Sequence, residues 1–335
     1  MPNMQASNFY GHVLILLLTI IALLALFYLS GPRVSVSPDI KAFELPDEPM
    51  RIEDHLRRVE SRYDDMIDGA EKTIVWADAR RKKKTDYAIV YLHGFSASRQ
   101  ETAPLADNIA ATLGANLYYN RLTGHGRGPD AYQGVTTNDW LNDAAESLEI
   151  GKRLGDKVIL IGLSTGGTLA MWLAANERYR SELAAMINIS TNFMPSHPLA
   201  PVVLWPWGKQ ITRLLEGDYR TFPSQNDLHE KFWSSRYHTD AVMAVMGLVG
   251  YVNQLDYAHI TTPSLVIYNE KDTIVDPRRI PRAYRDIGAE YKKIVVYNRS
   301  EDERQHVLAG DILSPSTTKD IERIVLDFVW PVVGR

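Results

Sequence analysis

Five residues, Gly162-Leu163-Ser164-Thr165-Gly166, stand between the apolar run Val158-Ile159-Leu160-Ile161 and a helix-compatible stretch from Thr168 to Asn176. Strand, five-residue turn and helix, in that order, constrain this chain more than any other feature. A turn this sharp forces its apex into a strained backbone conformation, and small flanking residues let strand and helix close on one another. The apex serine is then raised above the sheet, near the positive end of the following helix. The plain alternative is a Gly/Ser turn in an ordinary α/β unit, so the rest of the chain must decide.

From Tyr87 onward, strand and helix patterns alternate. Strands are expected at Tyr87-Leu92, Asn116-Tyr119, Val158-Ile161 and Ala184-Ile189, with helices at Glu101-Leu113, Asn138-Leu154 and Thr165-Asn176 between them. After an interruption the alternation resumes with strand Ser264-Tyr268, helix Pro277-Ile287, strand Lys292-Val296 and helix Pro315-Val329. Such a pattern predicts an α/β fold, a mostly parallel central sheet with helices on both faces. Reactive residues in these sheets collect on loops at the carboxyl ends of the strands.

A serine nucleophile needs a base to take its proton and an acid to orient that base. After Ser264-Tyr268 two aspartates compete. Asp276 precedes Pro277 and a helix, which suits an N-cap. Asp272 has no such structural task and is taken as the acid, with Asp276 in reserve. His306 follows the last strand and precedes the last helix, which makes it the candidate base. The chain order Ser164, Asp272, His306 fits the turn described above. Two backbone N–H groups must also hold the developing oxyanion. Thr165, at the helix start, offers one, and Phe95, in His93-Gly94-Phe95-Ser96, offers the other. His93 and His125 read as residues that order their loops.

Leu92-His93-Gly94-Phe95, Gly124-His125-Gly126, Gly162 to Gly167 and the Asp272 and His306 loops together resemble the α/β-hydrolase superfamily. The resemblance is to serine hydrolases of the carboxylesterase and monoacylglycerol-lipase-like branch, and it runs roughly from Thr73 to Val329. It implies an α/β-hydrolase fold, hydrolysis of a small-molecule acyl ester with no metal or other cofactor, and the roles given above for Ser164, Asp272, His306, Phe95 and Thr165. It also implies an inserted helical cap at 192–256. That segment is rich in apolar residues, and Trp205, Trp207, Met243 and Met246 are candidates for an acyl-chain pocket. Burial against the sheet edge is the alternative for each. Thioesterase, acyltransferase and serine aminopeptidase activities are the rival chemistries, and a non-catalytic binding module is the rival class.

The amino terminus departs from that pattern. No charged side chain precedes Arg33, and Val13 to Leu29 is almost unbroken Leu, Ile, Val, Ala and Phe. The expected organisation is a tail at 1–12, a transmembrane anchor at 13–30, a proline-rich linker at 31–50 and a hydrolase domain at 51–335. At about 1.5 Å per residue the apolar run is close to the minimum for a bilayer. A cleaved signal peptide is the competing reading. Arg33, Lys41 and Arg51 lean toward a cytoplasmic domain, whereas uncleaved anchors often export theirs, so both sides stay open. Ile52, Leu56, Val59, Tyr63 and Met66 place one apolar stripe on a helix over 51–67. The basic run 80–84 reads as a solvated hairpin loop, with anionic headgroup contact as the alternative. A net charge of -4 gives no electrostatic reason to expect a nucleic-acid partner. The complete lack of cysteine excludes a thiol nucleophile and thiolate metal sites.

Overall fold

Strands that are apolar on both faces must be covered on both faces, and the alternating helices supply that cover. The computed structural model describes residues 3–334. In chain order its first elements are α1 (Asn3–Leu29), α2 (Pro49–Glu60), β1 (Thr73–Val75), β2 (Thr85–Leu92), α3 (Leu105–Leu113) and β3 (Asn116–Tyr119). Next come α4 (Thr137–Leu154), β4 (Gly155–Leu163), α5 (Thr165–Ala175), α6 (Glu177–Arg180) and β5 (Leu183–Ile189). The inserted segment holds α7 (Gly208–Glu216), β6 (Tyr219–Thr221), α8 (Asp227–Phe232), β7 (Arg236–His238) and α9 (Asp240–Val252). The chain closes with β8 (Ser264–Tyr268), α10 (Ile280–Asp286), β9 (Lys292–Val296) and α11 (Thr318–Val329).

Seven strands form one sheet in the order β1-β3-β2-β4-β5-β8-β9, all parallel except β1. The order reverses about β2, whose neighbours are β3 and β4. Loops leaving the carboxyl ends of β2 and β4 therefore rise side by side, where open α/β sheets hold their ligands. The basic run is not a hairpin loop, because β3 lies between β1 and β2. Asn116 on β3 explains the arrangement: its side chain accepts from Ala77 N–H at 3.0 Å and donates to the Lys83 carbonyl at 2.8 Å.

The helix expected over 51–67 is shorter, running from Pro49 to Glu60. Ile52 and Leu56 are buried as the stripe requires, but Glu60 turns inward to a two-pronged pair with Arg121, both bonds 2.7 Å. Tyr63 follows the helix rather than riding on it, and its ring lies 3.9 Å from the Arg127 guanidinium.

The proline-rich segment is no free linker. Asn138 on α4 accepts from Ser37 N–H and donates to its carbonyl, at 3.0 and 2.8 Å. Asn142 accepts from Lys41 N–H at 2.8 Å, and Arg153 donates to the Pro46 carbonyl at 3.0 Å. Val36, Ile40, Phe43 and Leu45 pack on the main core, so residues 31–50 form a strap along α4. Ahead of the strap, α1 already begins at Asn3, so the expected tail is largely helical; Met1 and Pro2, like Arg335, lie outside the described residues. Within α1, Phe9–Leu29 is exposed throughout and is long and apolar enough to cross a membrane, a test that a signal sequence also passes.

Of the segment expected as a cap, α9 serves the main domain. Ala244, Leu248, Val249 and Val252 sit in the same core as α4 and α5. Phe193 also joins that core, while Leu199, Ile211, Leu215, Phe222 and Tyr237 from the rest of the segment line a cavity shared with Ser164 and His306.

Candidate active site

Ser164 ends β4 and opens α5 with φ 54° and ψ -115°, a conformation costly for any residue other than glycine. Glycine is required around it. A Cβ on Gly166 would lie 1.8 Å from the Leu92 carbonyl oxygen, and one on Gly162 would lie 2.6 Å from the Gly166 backbone. The turn is pinned on the other side by Ser164 N–H donating to Ile189 at 2.9 Å and Asn192 N–H donating to Ser164 at 3.1 Å.

The loop after β8 brings Asp272 to His306, with Oδ2 2.7 Å from Nδ1. The other carboxylate oxygen accepts from Ile274 and Val275 N–H at 2.8 and 3.0 Å, so the acid is fixed before the histidine reaches it. Asp276 instead accepts from Arg278 N–H at 3.1 Å and starts the short helical turn at Pro277. Burial pushes the His306 imidazolium pKa down, but the Asp272 charge and hydrogen bond, with Asp302 and Glu101 beyond, leave it raised. His306 Nδ1 bonded to Asp272 leaves Nε2 for the cavity, which Ser164 also lines. No hydrogen bond joins Ser164 Oγ to His306 among the described residues; such contacts often tighten only around bound substrate.

Sequence reasoning missed Asp302. It caps the turn before His306, accepting from His306 and Val307 N–H, both at 2.9 Å. Burial raises its pKa, and bonds from Gln225 and these amides more than reverse that, leaving the carboxyl lowered. Its signal was present as an acid four residues before the histidine in a polar loop.

The loop after β2 is built around one free amide. Gly94 N–H donates to buried Glu101 at 2.7 Å, and Ser96 N–H donates to His125 Nε2 at 3.0 Å. Between them, Phe95 N–H donates to no protein acceptor among the described residues, and Thr165 N–H is likewise undonated. His93 and His125 order this region: His93 Nε2 accepts from Leu122 N–H at 3.0 Å, and burial pushes its pKa down to about 4. Glu101 was read only as a helix start, yet it sits in a short turn over Arg99–Thr102 and lines the cavity. Burial pushes its pKa up to about 8, against the lowering effect of Gly94 and Tyr91 as donors.

The cavity over Ser164 has a volume of about 510 Å³ and walls that include Leu199, Val203, Ile211, Leu215, Val245 and Met246. Of the four cap residues expected to line it, Met246 alone does. Met243 points into a cluster with Ala200 and Val203. Trp205 is half exposed away from the cavity, and the Trp207 ring stacks on Phe27 of α1. Aromatic content identified a sticky segment but could not say which side faced the pocket. The usable signal was the four-residue spacing of Ile211 and Leu215 on α7.

A family model described as serine aminopeptidase, S33, matches residues 83–301. The chain belongs to this hydrolase family. The matched span includes Ser164 and Asp272 and stops before His306. A thermostable monoacylglycerol lipase from Bacillus sp. (strain H-257) is 25% identical over 211 residues, 62% of this chain and 79% of that protein. Among solved structures, one from a study of two metagenome-derived lipolytic enzymes, LipS and LipT, aligns with a TM-score of 0.63 at 19% identity, over 79% of this chain and 99% of that one. The monoacylglycerol lipase of Paleococcus ferrophilus aligns at 0.58 with 15% identity, over 78% and 98%. The fold is the α/β-hydrolase fold, and the chain is a lipase- and esterase-like member of it.

Proposed function

We propose that this hydrolase cleaves apolar carboxylic esters through an acyl-enzyme, with Ser164 as nucleophile, His306 as base and Asp272 as the acid that orients it. One observation carries the reading. A serine at a strained turn, a histidine bonded to a pinned buried aspartate and the undonated Phe95 amide border one largely apolar cavity, with the undonated Thr165 amide next in the chain to the serine. His306 Nε2 takes the Ser164 proton as Oγ bonds the carbonyl carbon, and Phe95 and Thr165 N–H hold the oxyanion. The proton passes to the departing alcohol as its C–O bond breaks. Water, deprotonated by His306, then attacks the acyl-enzyme, and Ser164 regains its proton as the acid leaves.

The family description favours testing an aminopeptidase reading, which needs an anionic group free to bind the substrate amine. The cavity's acids are committed elsewhere. Glu216 pairs with Arg220 at 3.4 Å, Asp302 caps the His306 turn, and Glu101 holds its proton near neutrality. Apolar walls favour an acyl chain instead, and the lipase relatives support that choice.

Fluorophosphonate labelling followed by an ester chain-length panel tests the proposal. Labelling and turnover should both disappear in Ser164→Ala, by several orders of magnitude. Near-normal turnover in folded Ser164→Ala would sink the mechanism, and preference for aminoacyl amides over esters would favour the rival. We further take Phe9–Leu29 as an uncleaved membrane anchor. Full-length protein should then resist alkaline carbonate extraction, and a soluble mature chain starting near Arg33 would show a cleaved signal.

A further inference from the structure

The cap is joined directly to the apolar helix, and Trp207 is the joint. Its ring stacks on Phe27 at 4.9 Å between centroids and 18° between planes. Indole N–H donates to the Phe27 carbonyl at 3.1 Å, and Trp207 N–H donates to the Pro32 carbonyl at 3.0 Å. A Cβ on Gly31 would fall 2.3 Å from the indole, so the chain leaves α1 directly beneath that ring. Phe27 belongs to the last turn of α1. A side chain stacked there lies at the depth where a spanning helix leaves hydrocarbon, the layer favoured by tryptophan. The strap residues bonded to Asn138 and Asn142 fix the domain against the same helix end.

From this joint α7 runs outward along the cavity rim. Leu214 lies about 11 Å along the helix from Trp207. Leu214 is 86% exposed, Leu215 66%, Leu199 53% and Trp205 50%, a concentration of bare apolar surface beside the anchor. Leu199 and Leu215 also line the cavity, so the apolar face and the mouth are one surface. Water is a poor neighbour for such a face, whereas the bilayer that receives α1 is already adjacent.

We infer that the face made by Leu199, Trp205, Leu214 and Leu215 rests on the bilayer, opening the cavity onto lipid so that membrane-dissolved acyl esters enter without crossing water. The inference rests on reading α1 as a span and the Ser164 site as an esterase. On that basis the anchor does more than tether, because it sets which way the active site faces.

The chain lacks cysteine, so single labels are simple to place. An environment-sensitive fluorophore on Leu214→Cys, in full-length protein reconstituted into phosphatidylcholine vesicles, should emit to the blue and be quenched by lipid-borne nitroxide. The same label on Lys83→Cys, at the opposite end of β2, should be quenched by aqueous iodide. Equal iodide access at both positions would overturn the inference. So would Leu214 protection that persists in detergent and fades on dilution, which would place a second copy on this face.

Activity provides an independent arm. Leu214→Glu should lower turnover of a long-chain monoacyl ester in vesicles at least tenfold, leaving kcat/KM for a water-soluble short-chain ester unchanged. No change with either substrate would remove the proposed docking role. Carbonate extraction of the protein would fell the span reading, and absent soluble-ester turnover in the parent protein would fell the esterase reading. Both results are distinct from a mislocated label.

Discussion

The carboxyl edge of the sheet and the cap above it face the same cavity but are specified differently. At the edge, each position is fixed by something nearby: Gly162 and Gly166 by contacts too close for a side chain, Asp272 by two amides, and Phe95 by engaged neighbours on both sides. Over the cavity, residues of one character diverge. Met243 and Met246 sit less than one turn apart on α9, yet only Met246 meets the pocket. Local geometry is written in local sequence, whereas the facing of a cap residue depends on what the rest of the chain packs against it.

If that contrast holds, changes at the edge should act on chemistry and changes in the cap on preference. Asp272→Asn should give the largest effect after loss of Ser164, a fall in kcat of about 10⁴-fold. As the proposed base His306 would have to be neutral, and its pKa is raised, so activity should rise with pH through a point above the ordinary histidine value. Removing the Asp272 charge should move that limb to lower pH. Asp276→Asn keeps an oxygen to cap the turn at Pro277 and should leave both stability and kcat nearly intact. A pH-rate series on both variants checks this, and the opposite ranking would exchange the two aspartates.

Glu101 gives the next effect. Losing an oxyanion donor costs about 10²–10³-fold, and Glu101→Ala releases the amide beside that donor, so a fall of about tenfold or more is expected. Glu101→Gln retains an acceptor for Gly94 and should keep most of the activity. The folded carboxyl holds its proton up to about pH 8, well beyond its ordinary range. Stability should therefore decline as pH rises from the unfolded value through that point, because the unfolded chain gives up the proton first. Urea midpoints across that window should flatten in the glutamine variant. An unchanged slope would locate the titrating group elsewhere.

The smallest effect belongs to the cap. Met246→Ala should shift acyl-length preference, each methylene being worth about 1–3 kcal/mol in discrimination. Trp205→Ala and Met243→Ala should leave the profile of water-soluble esters alone. A chain-length panel in which all three behave alike would erase the distinction between edge and cap.

Much of the fold was legible because periodicity reports burial. The apolar runs at Val158-Ile161 and Ser264-Tyr268 are interior strands, and the five-residue turn at Ser164 joins strand to helix as its composition requires. The hairpin reading of the basic run failed because pairing partners are chosen across the sheet, and Asn116 settles that choice from 33 and 39 residues away. Prolines in 31–50 were read as marking a linker, yet extended chain is also what lies well along a helix when asparagines meet its backbone. Glu101 and Asp302 were missed because a carboxylate that serves buried amides looks, in sequence, like any surface acid.

The pair between Glu60 and Arg121 reaches further than it first suggests. Arg121 also donates to the His125 carbonyl at 3.0 Å, and His125 holds Ser96 beside the proposed oxyanion donor. A helix that precedes the family-matched span is thus wired, through one guanidinium and one imidazole, into the floor of the cavity. The portable unit of this enzyme is therefore larger than its family signature. A graft onto a foreign anchor that begins at residue 83 would carry the proposed triad and oxyanion donors and leave behind the brace beside one of those donors.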